Sequence, residues 1–128
     1  MKLLHIDSSI TGANSASRQL SAALVAALKA AIPGLEVIRR DLDANPIPHL
    51  DSKRLPTVRP ANAPAVGIAD EGASDALDEF LSVDILVIGA PIYNFGIPSQ
   101  LKAWIDRIAI TGKTFKLHGG RANRAGRR

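Results

Sequence analysis

The run of apolar and β-branched residues at positions 83–90 constrains the fold of this chain more than any other feature. It reads VDILVIGA, and a loop with two prolines follows it directly. A strand that is apolar on both faces is typical of a parallel sheet covered by helices on both sides. The sequence therefore predicts a buried central strand at this position, and with it an α/β protein.

Two further segments predict strands, and a third predicts a long loop. Residues 2–6 form a short apolar run that ends before Asp7, and residues 35–40 alternate apolar with polar side chains. Both patterns are typical of strands. Five of the chain's eight prolines lie between residues 43 and 67, which excludes a regular element of any length there.

Three segments carry apolar residues at the spacing of three and four that is typical of a helix. They are residues 17–31, residues 70–81 and the segment after Pro98. In this last segment Pro98 fits the first helical turn, and Gly112 fits the position just after the end of a helix. The order β-α-β-loop-α-β-α requires right-handed crossovers and predicts a doubly wound parallel sheet. The apolar stripes comprise Leu20, Leu24, Ala27, Leu28 and Ala31; Ala73, Ala76, Leu77, Phe80 and Leu81; and Leu101, Trp104, Ile105 and Ile108.

Composition excludes several classes of protein. A chain of 128 residues with 46% hydrophobic and 22% charged side chains is typical of a single soluble globular domain. The absence of cysteine excludes disulfides, thiolate metal sites and a cysteine nucleophile, and it fits a cytoplasmic setting. Residues 1–7 lack the features of a signal peptide, and no apolar run approaches the roughly 20 residues that span a bilayer.

The net charge of +4 does not indicate a surface for nucleic acid. Residues 1–120 hold twelve basic and twelve acidic side chains and are neutral. His5, His49 and His118 form no pair at the spacing of a metal site, so we expect no bound metal. The whole excess of positive charge comes from Arg121, Arg124, Arg127 and Arg128.

Hydroxyl side chains dominate residues 8–17, which we call the first loop. The free N–H groups and positive end of the helix that follows favour a phosphate group. The loop lacks a Walker sequence, and its Gly12 stands alone, so neutral hydroxyls beside Arg18 suit a monophosphate better than a triphosphate. The alternative is that Ser15 or Ser17 only caps the helix. The hydroxyls belong to Ser8, Ser9, Thr11, Ser15 and Ser17.

Residues 91–98, which we call the second loop, follow the buried strand and combine two aromatic side chains with an amide and a glycine. Tyr93 and Phe95 offer apolar surface for a flat heteroaromatic ring, and Asn94 with the backbone can read its polar edge. Aromatic packing at the edge of the sheet is the alternative. In an open α/β sheet both loops lie at the carboxyl ends of strands, where ligands bind.

Three stretches of the sequence resemble the FMN-dependent NADH azoreductases, which are also described as NADH:quinone oxidoreductases. The likeness covers roughly residues 1–116, and it is carried by APIYNFGIP at residues 90–98, LKAWID at 101–106 and TGKTF at 111–115. Ser9 and the triplet at residues 15–17 are similar to the site at which that family holds the FMN phosphate.

The resemblance implies a flavodoxin-like fold, a noncovalent FMN and a homodimer. It also implies that NADH reduces the flavin, which then passes two electrons to a quinone or an azo compound. The cofactor performs the chemistry in such enzymes, so we assign no catalytic acid, base or nucleophile. The residues that would contact FMN are Ser9, Ser15, Ala16, Ser17, Ile92, Tyr93, Asn94 and Phe95.

The likeness to that family ends after Lys116. The expected domain covers residues 1–116, residues 117–128 form a basic irregular tail, and no specific nucleic acid or membrane partner is expected. A chain shortened there, for example by a frameshift, keeps three of the five strands in the order 2-1-3. The strand at residues 83–90 then becomes an exposed apolar edge that pairs with other chains or lowers solubility. A noncatalytic remnant that binds FMN weakly or not at all is therefore the alternative function.

Overall fold

The computed structural model describes residues 1–51, 71–109 and 113–115. For residues 71–74 it describes the backbone alone. The strands and helices agree with the sequence prediction to within two residues at most ends. In chain order they are β1 (Lys2–Asp7), α1 (Ala16–Ala31), β2 (Glu36–Asp41), α2 (Glu71–Ser82), β3 (Ile85–Gly89) and α3 (Ser99–Ile108), with a short 3-10 turn at Gly12–Asn14.

The three strands form a parallel sheet in the order β2-β1-β3. Leu4 on the central strand β1 pairs with Ile38 on β2 and with Leu86 on β3. Consecutive elements that alternate between strand and helix produce this parallel arrangement. The predicted strand order 2-1-3 and the α/β class are confirmed.

Helices cover both faces of the sheet and create two apolar cores. On one face, Leu4 and Ile6 pack with Trp104 of α3 and Ala76 of α2. Trp104 is 1% exposed and meets the ring of Phe80 edge to face, with the ring centroids 6.0 Å apart. On the other face, the second core is formed by Leu3, Val25, Leu35 and Val87, flanked by Leu28, Ile32, Val37 and Ile85. The sheet is thus wound on both sides.

The buried face of α1 differs from the apolar stripe that the spacing predicts. Leu20 is 72% exposed and Leu24 is 51% exposed, whereas Ser21 and Val25 face the sheet. Ser21 is buried because it hydrogen bonds to Asp7 below it. The helix thus meets the sheet with Ser21 and Val25, while Leu28 of the predicted stripe packs against the second core.

Strand β3 has one open edge in the described part of the chain, since its only described partner is β1. Leu86 and Ile88 on β3 remain 38% and 39% exposed. The expectation of a fully buried central strand is therefore wrong for these two residues. The exposed apolar edge expected for a sheet of three strands agrees with the structure.

One further prediction differs slightly from the structure, and three lie outside the described residues. Pro98 precedes α3 as its N-cap residue rather than lying in its first turn. Gly112, the boundary at residue 116 and the basic tail at 117–128 lie outside the described residues. None of the helices described here is both long and apolar enough to cross a membrane.

Candidate functional site

The first and second loops begin side by side at the carboxyl edge of the sheet. They follow β1 and β3, which are hydrogen-bonded neighbours. The Ser8 hydroxyl donates to the Gly89 carbonyl at 2.7 Å and ties the two strand ends together. Ser8 and Ser9 are almost completely buried, so the start of the first loop belongs to the protein core.

A second contact joins the two loops further from the sheet. The hydroxyls of Ser9 and Tyr93 lie 3.3 Å apart, and the Ile10 N–H donates to Tyr93 Oη at 3.2 Å. Thr11 adds a hydroxyl 3.0 Å from Ser9 Oγ. The pKa of Tyr93 is lowered, first by the hydrogen bond with Ser9 and then by that with the Ile10 N–H. The structure thus brings Ser9 and Tyr93, predicted on separate loops, into one site.

The start of α1 provides polar groups that point out of the helix end. Ser15 is the N-cap residue, and its Oγ accepts from the Arg18 N–H at 3.2 Å. Ser15 therefore caps α1. Ser17 Oγ lies 3.0 Å from Ser15 Oγ. The amides of Ala16 and Ser17 have no helical acceptor, and no other acceptor for them occurs among the described residues.

Arg18 does not present a free positive charge to an anion. Its guanidinium forms two bonds to Asp41, at 2.8 and 2.9 Å, and donates to the Ser9 carbonyl at 2.7 Å. These bonds to Asp41 raise the pKa of Arg18 and hold the pKa of Asp41 well below its usual range. The sequence predicts that Arg18 lies beside a phosphate as a nearby cation. In the structure its charge is paired with Asp41, and its contact with the Ser9 carbonyl fixes the loop.

A buried polar network supports the first loop from below. Asp7 is 1% exposed and accepts hydrogen bonds from the Ser21 hydroxyl at 2.9 Å and from Arg39 Nη2 at 2.8 Å. His5 Nε2 lies 2.9 Å from Ser21 Oγ. Gly89 leaves room for this packing, because an added Cβ would lie 3.2 Å from Asp7 Oδ1.

The second loop turns through a tight hairpin. Tyr93 and Gly96 exchange two backbone hydrogen bonds of 2.8 and 3.0 Å. The two residues between them have positive φ, 49° at Asn94 and 66° at Phe95. This conformation suits asparagine, but it is strained for a bulky aromatic residue. The turn therefore holds Phe95 in a conformation that its side chain disfavours.

The apolar side chains of the second loop face outward. Phe95 is fully exposed, and Ile92 is 79% exposed. The alternative of aromatic packing at the sheet edge is therefore wrong for Phe95, while Tyr93 packs against the first loop. Exposed apolar side chains on a strained turn are typical of a surface that contacts a ligand. A cavity of about 620 Å³ here is lined by Ile10, Ile92, Tyr93, Asn94, Ile97, Pro98, Ser99 and Gln100.

Sequence reasoning missed Asp41 and the role of Arg18. Asp41 is the last residue of β2, at the same edge of the sheet as both loops. An acidic residue at a strand end gives no sign of its partner across 23 positions of sequence. Among the described residues, no group of acidic and histidine side chains is arranged to hold a metal ion.

A family model for the flavodoxin-like fold matches residues 1–127 of this chain. The chain belongs to this family. The match agrees with the parallel strands, their order and the helices on both faces.

Relatives within the family share a common description. The chain is 58% identical over 117 residues to FMN-dependent NADH:quinone oxidoreductase 2 of Bradyrhizobium diazoefficiens, covering 91% of this chain and 58% of the relative. It is 56% identical over 116 residues to the FMN-dependent NADH:quinone oxidoreductase of Stenotrophomonas maltophilia, covering 91% of this chain and 56% of the relative.

A solved structure shows the same arrangement of chain. The FMN-dependent NADH-azoreductase of Bacillus anthracis, solved in complex with FMN, superposes with a TM-score of 0.74 at 25% identity. The superposition covers 91% of this chain and 59% of that structure. The chain thus spans less than two thirds of the length of the relatives that it matches, 58% in the case of the Bradyrhizobium protein.

Proposed function

We propose that this chain binds FMN and contributes the phosphate side and one ring contact of an FMN-dependent oxidoreductase site. The observation that carries the proposal is the direct contact of two chemically different loops. The hydroxyl-rich first loop bonds to the aromatic second loop through Ser9, Ile10 and Tyr93. A ligand with a compact anion at one end and a flat ring at the other fits such a pair.

The donors of the first loop fit a phosphate monoester. Ala16 and Ser17 offer N–H groups at the positive end of a helix of 16 residues. Ser17 adds a half-buried hydroxyl next to them. These neutral donors bind a dianion by hydrogen bonds, while Arg18 remains paired with Asp41.

The second loop fits a planar heteroaromatic ring. Phe95 and Ile92 expose apolar surface beside the cavity described above. Asn94 carries an amide that can donate and accept at the polar edge of a ring. We therefore propose that residues 92–95 contact the isoalloxazine, and that Ser9, Ser15, Ala16 and Ser17 hold the phosphate.

The names of the relatives supply the reaction class. When bound, FMN supplies two-electron redox chemistry between NADH and an acceptor such as a quinone or an azo compound. The part of this chain is to bind and orient the cofactor, and we assign it no acid or base. We also propose a homodimer, for which the exposed Leu86 and Ile88 on the open edge of β3 provide apolar surface.

The visible absorbance of flavin in the purified protein tests the proposal. We expect FMN to titrate to saturation with one molecule per chain and riboflavin to bind more weakly, because it lacks the phosphate. NADH should then bleach an azo dye in the presence of the loaded protein. A protein that binds FMN no better than riboflavin would contradict a phosphate site in the first loop.

A second candidate function is a noncatalytic remnant that binds FMN weakly or not at all. The open edge of β3 in the described part of the chain favours it. Saturable FMN binding without reduction of dye by NADH would support the remnant. Both binding and reduction at rates typical of enzymes would exclude it.

A further inference from the structure

One peptide group in the first loop is held from both of its sides. The carbonyl oxygen of Ser9 accepts from Arg18 Nη2 at 2.7 Å. The N–H of Ile10 belongs to the same planar peptide and donates to Tyr93 Oη at 3.2 Å. Arg18 comes from α1 and Tyr93 from the second loop. This single peptide therefore connects the helix start to the second loop.

Arg18 is itself fixed in place. Asp41 binds its two terminal nitrogens at 2.8 and 2.9 Å, and the Arg18 side chain is only 14% exposed. Asp41 Oδ1 also accepts from the backbone N–H groups of Asp43 at 3.0 Å and Ala44 at 3.3 Å. Planar two-point pairing of this kind restricts the guanidinium in position and orientation. The end of β2 thus anchors the contact to Ser9.

We propose that Arg18 is a positioning residue that holds the Ser9–Ile10 peptide against Tyr93 and so sets the spacing between the first and second loops. It acts through this peptide and does not itself contact the phosphate. The importance of that spacing for FMN rests on the proposed function. The contact itself is a property of the protein without ligand.

Electrostatics favour the same arrangement. A cation on a carbonyl oxygen polarises the peptide and strengthens hydrogen bonding by its N–H. The N–H of Ile10 is one cause of the lowered pKa of Tyr93, after the hydroxyl of Ser9, with smaller effects of Thr11 and of the charge on Arg18. The phenol of Tyr93 therefore reports on the geometry of the peptide.

Titration of this phenol tests the proposal without any flavin, because Tyr93 is the sole tyrosine of the chain. We expect Arg18→Lys, which retains the charge but loses the planar pairing, to raise the pKa of Tyr93 towards its ordinary value. The matched control is Arg40→Lys. Arg40 pairs with Glu79 of α2, away from Asp41 and the Ser9–Ile10 peptide, so the pKa of Tyr93 should stay unchanged.

An unchanged pKa of Tyr93 in a folded Arg18→Lys variant, or an equal rise in both variants, would overturn the proposal. If Arg18→Lys does not fold by circular dichroism, Asp41→Asn serves instead. It retains Arg18 but removes the carboxylate that anchors it. Because loss of this anion alters the pKa of Tyr93 by itself, the readout is hydrogen exchange of the Ile10 N–H, which we expect to become faster. Identical exchange in Asp41→Asn and the unmodified chain would then contradict the role of Arg18.

FMN binding tests the consequence for the site. We expect Arg18→Lys to weaken FMN binding about tenfold, the usual loss for a charge-assisted hydrogen bond. Tyr93→Phe should weaken it as well, and the double variant should lose less than the product of the two effects, because both act on one peptide. Independent, multiplicative losses would contradict the coupling.

No FMN binding by the unmodified chain would refute the proposed function, while the titration of Tyr93 would still decide the role of Arg18.

Discussion

The first and second loops start from neighbouring strand ends, yet different interactions hold them. Buried hydroxyls and ion pairs fix the first loop, with Ser9 and Asp7 each 1% exposed. A backbone hairpin forms the second loop, and its Phe95 and Ile92 extend into solvent. The difference fits their proposed ligands, because a compact anion needs donors at set positions, whereas a flat ring needs adaptable apolar surface.

Removing the carboxylate beneath the first loop should have the largest effect on stability. Asp7→Ala removes the buried acceptor that Ser21 Oγ bonds at 2.9 Å and the carboxylate that pairs with Arg39 Nη2 at 2.8 Å. We expect a loss of about 3 kcal/mol in the free energy of unfolding, measured by denaturant titration. The matched change in the second loop, Ile92→Ala, should cost under about 0.5 kcal/mol because Ile92 is 79% exposed. Equal losses would remove the contrast between the loops.

The pairing of Asp41 with Arg18 should make stability depend on acid pH. The pKa of Asp41 lies below its ordinary value of 3.8, mainly because of its hydrogen bonds with Arg18. Its stabilising contribution is therefore present above about pH 4 and is lost as the pH falls from there towards the lowered pKa. Asp41→Asn should cost about 2 kcal/mol at neutral pH and show a flatter acid profile. Parallel profiles for both proteins would show that Asp41 contributes nothing to this dependence.

Two serines of the first loop should differ in their effect on stability, although both are proposed to contact the FMN phosphate. Ser15→Ala removes the N-cap of α1 and should cost about 1 kcal/mol of unfolding free energy. Ser17→Ala should leave that free energy unchanged, since its hydroxyl contacts only Ser15 Oγ among the described groups, but should weaken FMN binding by about 1–2 kcal/mol. Unfolding and FMN titrations on both variants measure the two effects. If Ser17→Ala binds FMN normally, its hydroxyl is not a ligand.

A substitution in the second loop should stabilise the fold. Phe95→Gly relieves the strain of a φ of 66° while removing a side chain that contacts solvent alone. We expect a gain of about 0.5–1 kcal/mol in unfolding free energy, reduced by the greater chain entropy of glycine when unfolded. FMN affinity should fall at the same time. Asn94→Gly is the control, with a smaller gain because asparagine tolerates positive φ.

The fold could be predicted to a large extent, and the site only in part. Apolar runs predicted β1 and β3, alternation of apolar and polar side chains predicted β2, and helical spacing predicted all three described helices. Loop composition predicted Ser9 and Tyr93 as site residues, but it could not show that their hydroxyls lie 3.3 Å apart. Hydrophobic spacing failed on α1, where Ser21 is buried and Leu20 is exposed. A buried serine follows from a partner such as Asp7, which periodicity does not record.

The amino-acid sequence by itself determined the order of the strands and helices, the parallel sheet, the hydroxyl-rich first loop and the aromatic second loop. These follow from local patterns, because burial and chain direction impose periodicities that a short window reveals. Only the tertiary structure decided which side of α1 faces the sheet and which partner takes the charge of Arg18. Such choices depend on pairs far apart in sequence, as with Arg18 and Asp41. The energy of a buried charge depends on the oppositely charged group that pairs with it, so a local sequence pattern cannot predict this energy.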